Sequence, residues 1–216
     1  MLTRRSLRHL SVWTLLILGG IGLLGRDGYM QVKATLAAEL VDAALAAHLS
    51  DGNEHPPWHW ADFQPVARLL APRLGVSLPI LEGSAGQTMA FGLAHVGGTA
   101  RPGQEDNTVL AGHRDSWASF MAGLQKGDLL VVEFAGGQCS YRVRQTAIVD
   151  RSATEVMVQG GSPLLTLITC HPFGGWTPSN DRYVVTAEPV AGGRRLAQKS
   201  IDSHGGAPIL MAGDRI

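Results

Sequence analysis

Residues 164–170 read LLTLITC, and residues 107–113 read NTVLAGH. Each is a short run of Leu, Ile, Val and Thr that stops at a residue able to do chemistry, Cys170 in one and His113 in the other. Runs of this length and composition are strands, because β-branched side chains fit a pleated, half-buried surface better than a helix. Four similar runs lie around them: VSLPILE at 76–82, DLLVVEF at 128–134, CSYRVRQTAIV at 139–149 and RYVVTAE at 182–188. Gly136-Gly137 between two of them marks a hairpin turn. Helical periodicity between Val66 and Val190 is confined to one short stretch, 116–124. Many short strands with turn signals and few helices predict an all-β domain, a closed or nearly closed barrel rather than a parallel α/β sheet.

Outside this region the texture changes. Arg4, Arg5 and Arg8 precede an apolar run from Leu10 to Gly25, and Arg26 and Asp27 close it. A basic flank followed by about 16 uncharged residues reads as a signal peptide or a short signal anchor. No small-residue cleavage site follows, so an uncleaved single-pass anchor is the favoured reading. The arginines would hold the N-terminus in the cytoplasm and place the rest outside. Residues 30–49 carry Leu36, Leu40, Ala44 and Ala47 at three- and four-residue steps, which predicts a helical arm. Residues 50–60 (SDGNEHPPWHW) break it as a Pro/Trp linker. His48, His55 and His59 follow no metal-ligand spacing. The division expected is 1–28 for the cytoplasmic tip and anchor, 29–64 for arm and linker, 65–190 for the catalytic barrel, and 191–216 for a polar, loosely ordered tail.

Eighteen basic and eighteen acidic residues balance, so no basic stripe argues for nucleic acid. No acidic cluster of the kind a Ca²⁺ site needs is present, and neither a metal nor a cofactor is expected. The two cysteines, Cys139 and Cys170, allow one disulfide, or a reactive thiol beside a buried bystander. The context favours the second. A thiolate is the nucleophilic form of cysteine, and a neighbouring imidazole or guanidinium favours it. Attack on an amide carbonyl makes an oxyanion that a fixed cation stabilises, and the departing amine needs a proton, usually from His. Cys170, His113 and Arg182, the last opening the run at 182–188, are a sufficient set for acyl transfer.

TLITC at 166–170 resembles the T-L-x-T-C signature of sortases, with His113 lying 57 residues before Cys170 and Arg182 lying 12 after it. The resemblance spans roughly 76–189, and the Ala-rich arm with its Pro-Pro-Trp-His-Trp segment is similar to the proteobacterial sortases often called class GN. It implies an eight-stranded sortase barrel behind a membrane anchor, with the catalytic domain on the periplasmic side of the inner membrane. It further implies that Cys170 attacks the Thr carbonyl of an LPxTG-like C-terminal sorting motif of a protein substrate. A thioester then forms, and an amine acceptor resolves it. His113 would be acid and then base, and Arg182 would position substrate and steady the oxyanion. Thr169 and Trp176 are the expected substrate contacts, Thr169 through hydroxyl or backbone and Trp176 in the loop at 171–181. His171, next to Cys170, and Asp115, beside His113, are rival or assisting groups. The other readings are an L,D-transpeptidase-like cell-wall enzyme, disfavoured because Pro172 stands where its signature has Arg, a zinc-binding domain using His95, His113, Cys170 and His171, and a non-catalytic exported binding domain.

Overall fold

Eight strands close on themselves in the order β1-β2-β3-β4-β7-β8-β6-β5. They are β1 (Pro65–Ala71), β2 (Val76–Glu82), β3 (Leu93–His95), β4 (Thr108–Ala111), β5 (Leu129–Phe134), β6 (Gly137–Asp150), β7 (Leu165–Cys170) and β8 (Asp181–Leu196). The structure is a computed structural model and describes residues 4–82, 86–175 and 179–196. The six runs picked out in the sequence correspond to β2, β4, β5, β6, β7 and β8. The turn at Ala135-Gly136 joins β5 to β6, Phe134 pairing with Gly137, and Gly136 supplies the positive φ of 94° that the turn requires. The stretch 116–124 forms only a short 3₁₀ turn, Ser119–Gly123.

Closure follows from alternation. Along β7 the side chains of Leu165, Leu167 and Thr169 are buried while Ile168 and Cys170 are half-exposed. Leu165 and Leu167 pair with Ala187 and Val185 of β8, and these four meet Leu69, Ile80, Leu93, Leu110, Leu130 and Val132 in one continuous core. Most strand pairs are antiparallel. The exceptions are β2 with β3 and β4 with β7, which are parallel. The parallel β4–β7 pair bears on function, because it brings the C-terminal ends of LAGH and LITC to the same rim of the barrel.

Before the barrel runs one helix, α1 (Arg4–Asp51), 48 residues long. The boundary expected near 28 is therefore not a backbone break. Gly19, Gly20, Gly22, Gly25 and Gly28 each weaken a helix by about 1 kcal/mol, and none interrupts it. The helix ends at Gly52, whose φ of 75° carries its N–H back to the His48 carbonyl at 2.8 Å. Among the described side chains only those of its last turns dock: Val41, Ala44 and Leu45 are buried, whereas Leu16, Ile17, Leu18, Ile21, Leu23 and Leu24 are exposed. Among the described residues no helix is long and apolar enough to cross a membrane. The Pro/Trp linker folds against the barrel. Trp58, Phe63 and Phe91 form an aromatic group with centroids 5.1–5.5 Å apart, over Val41 and Leu81. The stretch after 190 departs from the expected loose tail up to Leu196, because β8 continues there, residues 194–196 pairing with β6 at 137–139.

Candidate active site

Cys170 is the last residue of β7, and its register partner on β8 is Arg182. Directly opposed residues on paired strands project from the same face. The two side chains therefore sit side by side on the face turned away from the core, next to the outward-facing pair Ile168 and Val184. His113 arrives from the other flank. The β4–β7 ladder pairs Ala111 with Ile168, and the Gly112 N–H continues it to the Ile168 carbonyl at 3.2 Å. One residue further puts His113 at the rim beside Cys170. All three line one cleft of about 630 Å³, together with Arg114, Asp115, Arg151, Ser179 and Asn180.

The surrounding backbone holds this geometry. The His113 carbonyl accepts from the N–H groups of Ser116 and Ala118 at 3.2 and 3.1 Å, which turns the chain sharply after the histidine. A Cβ on Gly112 would stand 2.8 Å from Leu93 Cδ2 and 3.0 Å from Ala118 Cβ, so only glycine lets β4 pass this closely. Arg182 donates to the Ser179 and Asp181 carbonyls at 3.3 and 3.0 Å, fixing its guanidinium over the rim. Beside it, the hydroxyl and N–H of Ser152 hold the Asp150 carboxyl below the usual carboxylate range, and the charges of Arg151 and Arg182 act the same way. An anion is thus fixed next to the Arg182 cation.

Thr169 corrects the expected substrate contact through its hydroxyl. It alternates inward from Cys170, is 2% exposed, and donates its hydroxyl to the Gly112 carbonyl at 2.7 Å. The bond ties β7 to β4 between the cysteine and the histidine, so Thr169 sets their spacing and its side chain does not reach the cleft. Trp176 lies outside the described residues. The rival groups have local partners. After Cys170 the chain turns through a cis peptide at His171-Pro172, and the His171 ring stacks at 6.3 Å on Tyr183, the partner of inward-facing Thr169. Asp115 accepts from Arg114 Nε at 3.3 Å. No disulfide joins Cys139 and Cys170, and Cys139 belongs to the barrel core. His95, invoked for a zinc site, is 2% exposed and engaged by the Ala100 carbonyl at 3.0 Å and Thr99 Oγ1 at 3.2 Å.

Sequence reading missed Arg114 and Arg151. Arg114 donates to the Gly175 carbonyl and so ties the rim behind His113 to the loop that follows Cys170. Arg151 and Arg182 both line a second, mostly apolar groove of about 190 Å³ that continues from the cleft along the outer faces of β7 and β8. An arginine next to a histidine on a barrel rim, or just past a strand, has no sequence signature. The barrel alone brings these two into the site.

A closed β-barrel with a cysteine, a histidine and an arginine on one rim is the architecture of a thiol-dependent acyl-transfer enzyme. A sortase-domain family model matches residues 69–190. Sortase D of Bacillus subtilis (strain 168) is 27% identical over 189 residues, covering 81% of this chain and 96% of that protein. Sortase C-1 of Actinomyces oris superimposes with a TM-score of 0.53 at 31% identity, over 71% of this chain and 97% of that one. The Clostridium perfringens Sortase D5 transpeptidase shares the fold with a TM-score of 0.60 at 20% identity, over 72% and 99%. The chain belongs to the sortase family and is a sortase transpeptidase.

Proposed function

We propose that this sortase cleaves an LPxTG-like sorting motif through a Cys170 thioester and hands the substrate protein to an amine. The observation that carries the reading is the shared cleft of Cys170, His113 and Arg182, continuous with an apolar groove. An extended peptide laid along that groove would put its apolar residues on Ile168, Val184 and Val156 and its scissile carbonyl at the cleft. Cys170 Sγ attacks that carbonyl, and Arg182 takes up the charge on its oxygen. His113 gives a proton to the departing amine and later accepts one from the incoming amine. A covalent intermediate divides one difficult exchange into two easier ones.

The chain is further proposed to act at the inner membrane, anchored by α1, with the barrel on the periplasmic side. Support comes from the arginines ahead of the run at 10–25, and from the exposed Leu16, Ile17, Leu18, Ile21, Leu23 and Leu24. A run of 16 residues at 1.5 Å per residue reaches about 24 Å, short of a hydrocarbon core of about 30 Å, so the anchor would need local thinning of the bilayer. The proteobacterial grouping is proposed on the helical arm and the Trp58–Phe63 segment packed on the barrel.

Mass spectrometry of the full chain mixed with an LPxTG-like peptide tests the reaction. The wild type should gain the mass of the peptide's acyl portion, released by hydroxylamine, and Cys170→Ala should gain none. Adduct formation in Cys170→Ala sinks the assignment.

A further inference from the structure

The apolar groove beside Cys170 has strands for a floor and a non-strand segment for a wall. The floor is Ala111, Ile168 and Val184; the wall is Val156 and Met157, on the 3₁₀ turn Thr154–Met157 between β6 and β7. This 3₁₀ turn has four residues, none of them buried, and Thr154 and Glu155 are exposed, so packing of the turn alone does little to fix its position. Here it is held from outside, by the chain entering β4.

Asn107 is 3% exposed and is fully used. Its side-chain N–H groups donate to the carbonyls of Val156 and Val158 at 3.1 and 3.5 Å, and its Oδ1 accepts from the Thr166 hydroxyl at 2.8 Å. Its neighbour Asp106 accepts at one carboxylate oxygen from the N–H groups of Asn107, Gly160 and Gly161, at 2.8, 2.9 and 3.1 Å. These bonds also hold the Asp106 carboxyl below its ordinary range, so it is ionised at neutral pH. Asp106 has a φ of 118°, a conformation rare for any residue but glycine. Gln159 returns the grip: it donates to the Asn107 and Met157 carbonyls at 3.0 and 3.1 Å and accepts from the Ala100 N–H at 3.2 Å.

None of these three residues lines the cleft or the groove. Asn107 and His113 stand at opposite ends of β4, about 20 Å apart at ~3.3 Å per residue. We propose that Asp106, Asn107 and Gln159 form a latch that fixes segment 156–161 as the wall of the donor-peptide groove. They are positioning residues that set donor recognition and leave the bond-making steps alone. The inference rests on the reading that this groove holds the apolar part of the donor.

The test uses the full chain, a fluorogenic LPxTG-like peptide, the same peptide with its Leu replaced by Ala, and hydroxylamine as acceptor. Asn107→Ala should raise the donor KM about tenfold with kcat within about twofold, the signature of lost uniform binding. Asp106→Ala and Gln159→Ala should follow in the same direction, and all three should lose preference for Leu over Ala. The hydroxylamine KM should not move. Asn107→Ala combined with Val156→Ala should cost less than the product of the two, because both act on one wall. A fall in kcat at unchanged donor KM, or a retained Leu preference, overturns the latch. Where Asn107→Ala does not fold, Gln159→Ala decides, since Gln159 is exposed. Hydrogen exchange at 156–161 reads the latch without any reaction: faster exchange in the variants is expected, and unchanged exchange overturns it. A wild type with no Cys170-dependent transfer overturns the proposed function instead.

Discussion

The nucleophilic role proposed for Cys170 rests on its placement: half-exposed at a strand end, opposite Arg182 and beside His113 in one cleft. Arg182→Lys keeps the charge but loses the planar fork that the Ser179 and Asp181 carbonyls hold, and should cost about 10²-fold or more in kcat/KM. Acyl-enzyme formation rates measure it, and an active lysine variant would remove Arg182 from the oxyanion role. Thr169→Val keeps the shape and removes the hydroxyl that grips the Gly112 carbonyl. It should cost about 1 kcal/mol of stability and lower kcat about tenfold, since small errors in the Cys170–His113 spacing are expensive. Denaturant titration and single-turnover kinetics check the two parts. A merely structural Thr169 would change the first and not the second.

At the scale of elements, the parallel β4–β7 pair is what assembles the site, and Gly112 is its tightest point. Gly112→Ala forces a methyl against Leu93 and Ala118 and should cost about 1–3 kcal/mol while displacing His113. Transfer activity should then fall more than stability accounts for, which a thermal melt beside an activity assay separates. The helix makes the opposite case. Leu45 is fully buried where α1 packs on the barrel, so Leu45→Ala should cost about 2–5 kcal/mol. The cleft is built from strands on which α1 does not encroach, so kcat should be preserved in the folded variant. A matching loss of kcat would tie the helix to catalysis.

The whole molecule carries its acid sensitivity in a few fixed carboxylates. Asp128 is held below the usual carboxylate range first by the Arg73 guanidinium, bonded at 2.5 and 2.7 Å. Asp51 is lowered to about 2, mainly by the Asn53 N–H and then by His55. Asp106 and Asp150 are lowered in the same direction. Each binds a proton more readily unfolded than folded, so stability rises with pH between the two values. The contribution is complete above the ordinary value of ~3.9 and is lost as pH falls through the depressed values, down to about 2 for Asp51. Melting temperatures between pH 6 and pH 2 should drop chiefly below about 4. Asp128→Asn should lower the pH 7 plateau and flatten that acid limb; an unchanged limb would place the sensitivity elsewhere.

The amino-acid sequence by itself determined the strands that are long and alternate and the hairpin at Gly136, and it singled out Cys170, His113 and Arg182, which the fold gathers in one cleft, because local propensity and short motifs are written in consecutive residues. It did not reveal β1, which opens at Pro65, or β3, only three residues long, because each becomes a strand through its partners in the closed sheet. The continuity of α1 was hidden by its glycines, and the extension of β8 to Leu196 by Gly192-Gly193; in β8 the pairing with β6 outweighs composition. Only the tertiary structure decided that Thr169 faces inward, that His171 turns away onto Tyr183, and that Arg114 and Arg151 join the cleft. Which face a residue presents, and what a parallel crossover brings to the same rim, depend on the register between segments far apart in the chain, and no local pattern encodes that register.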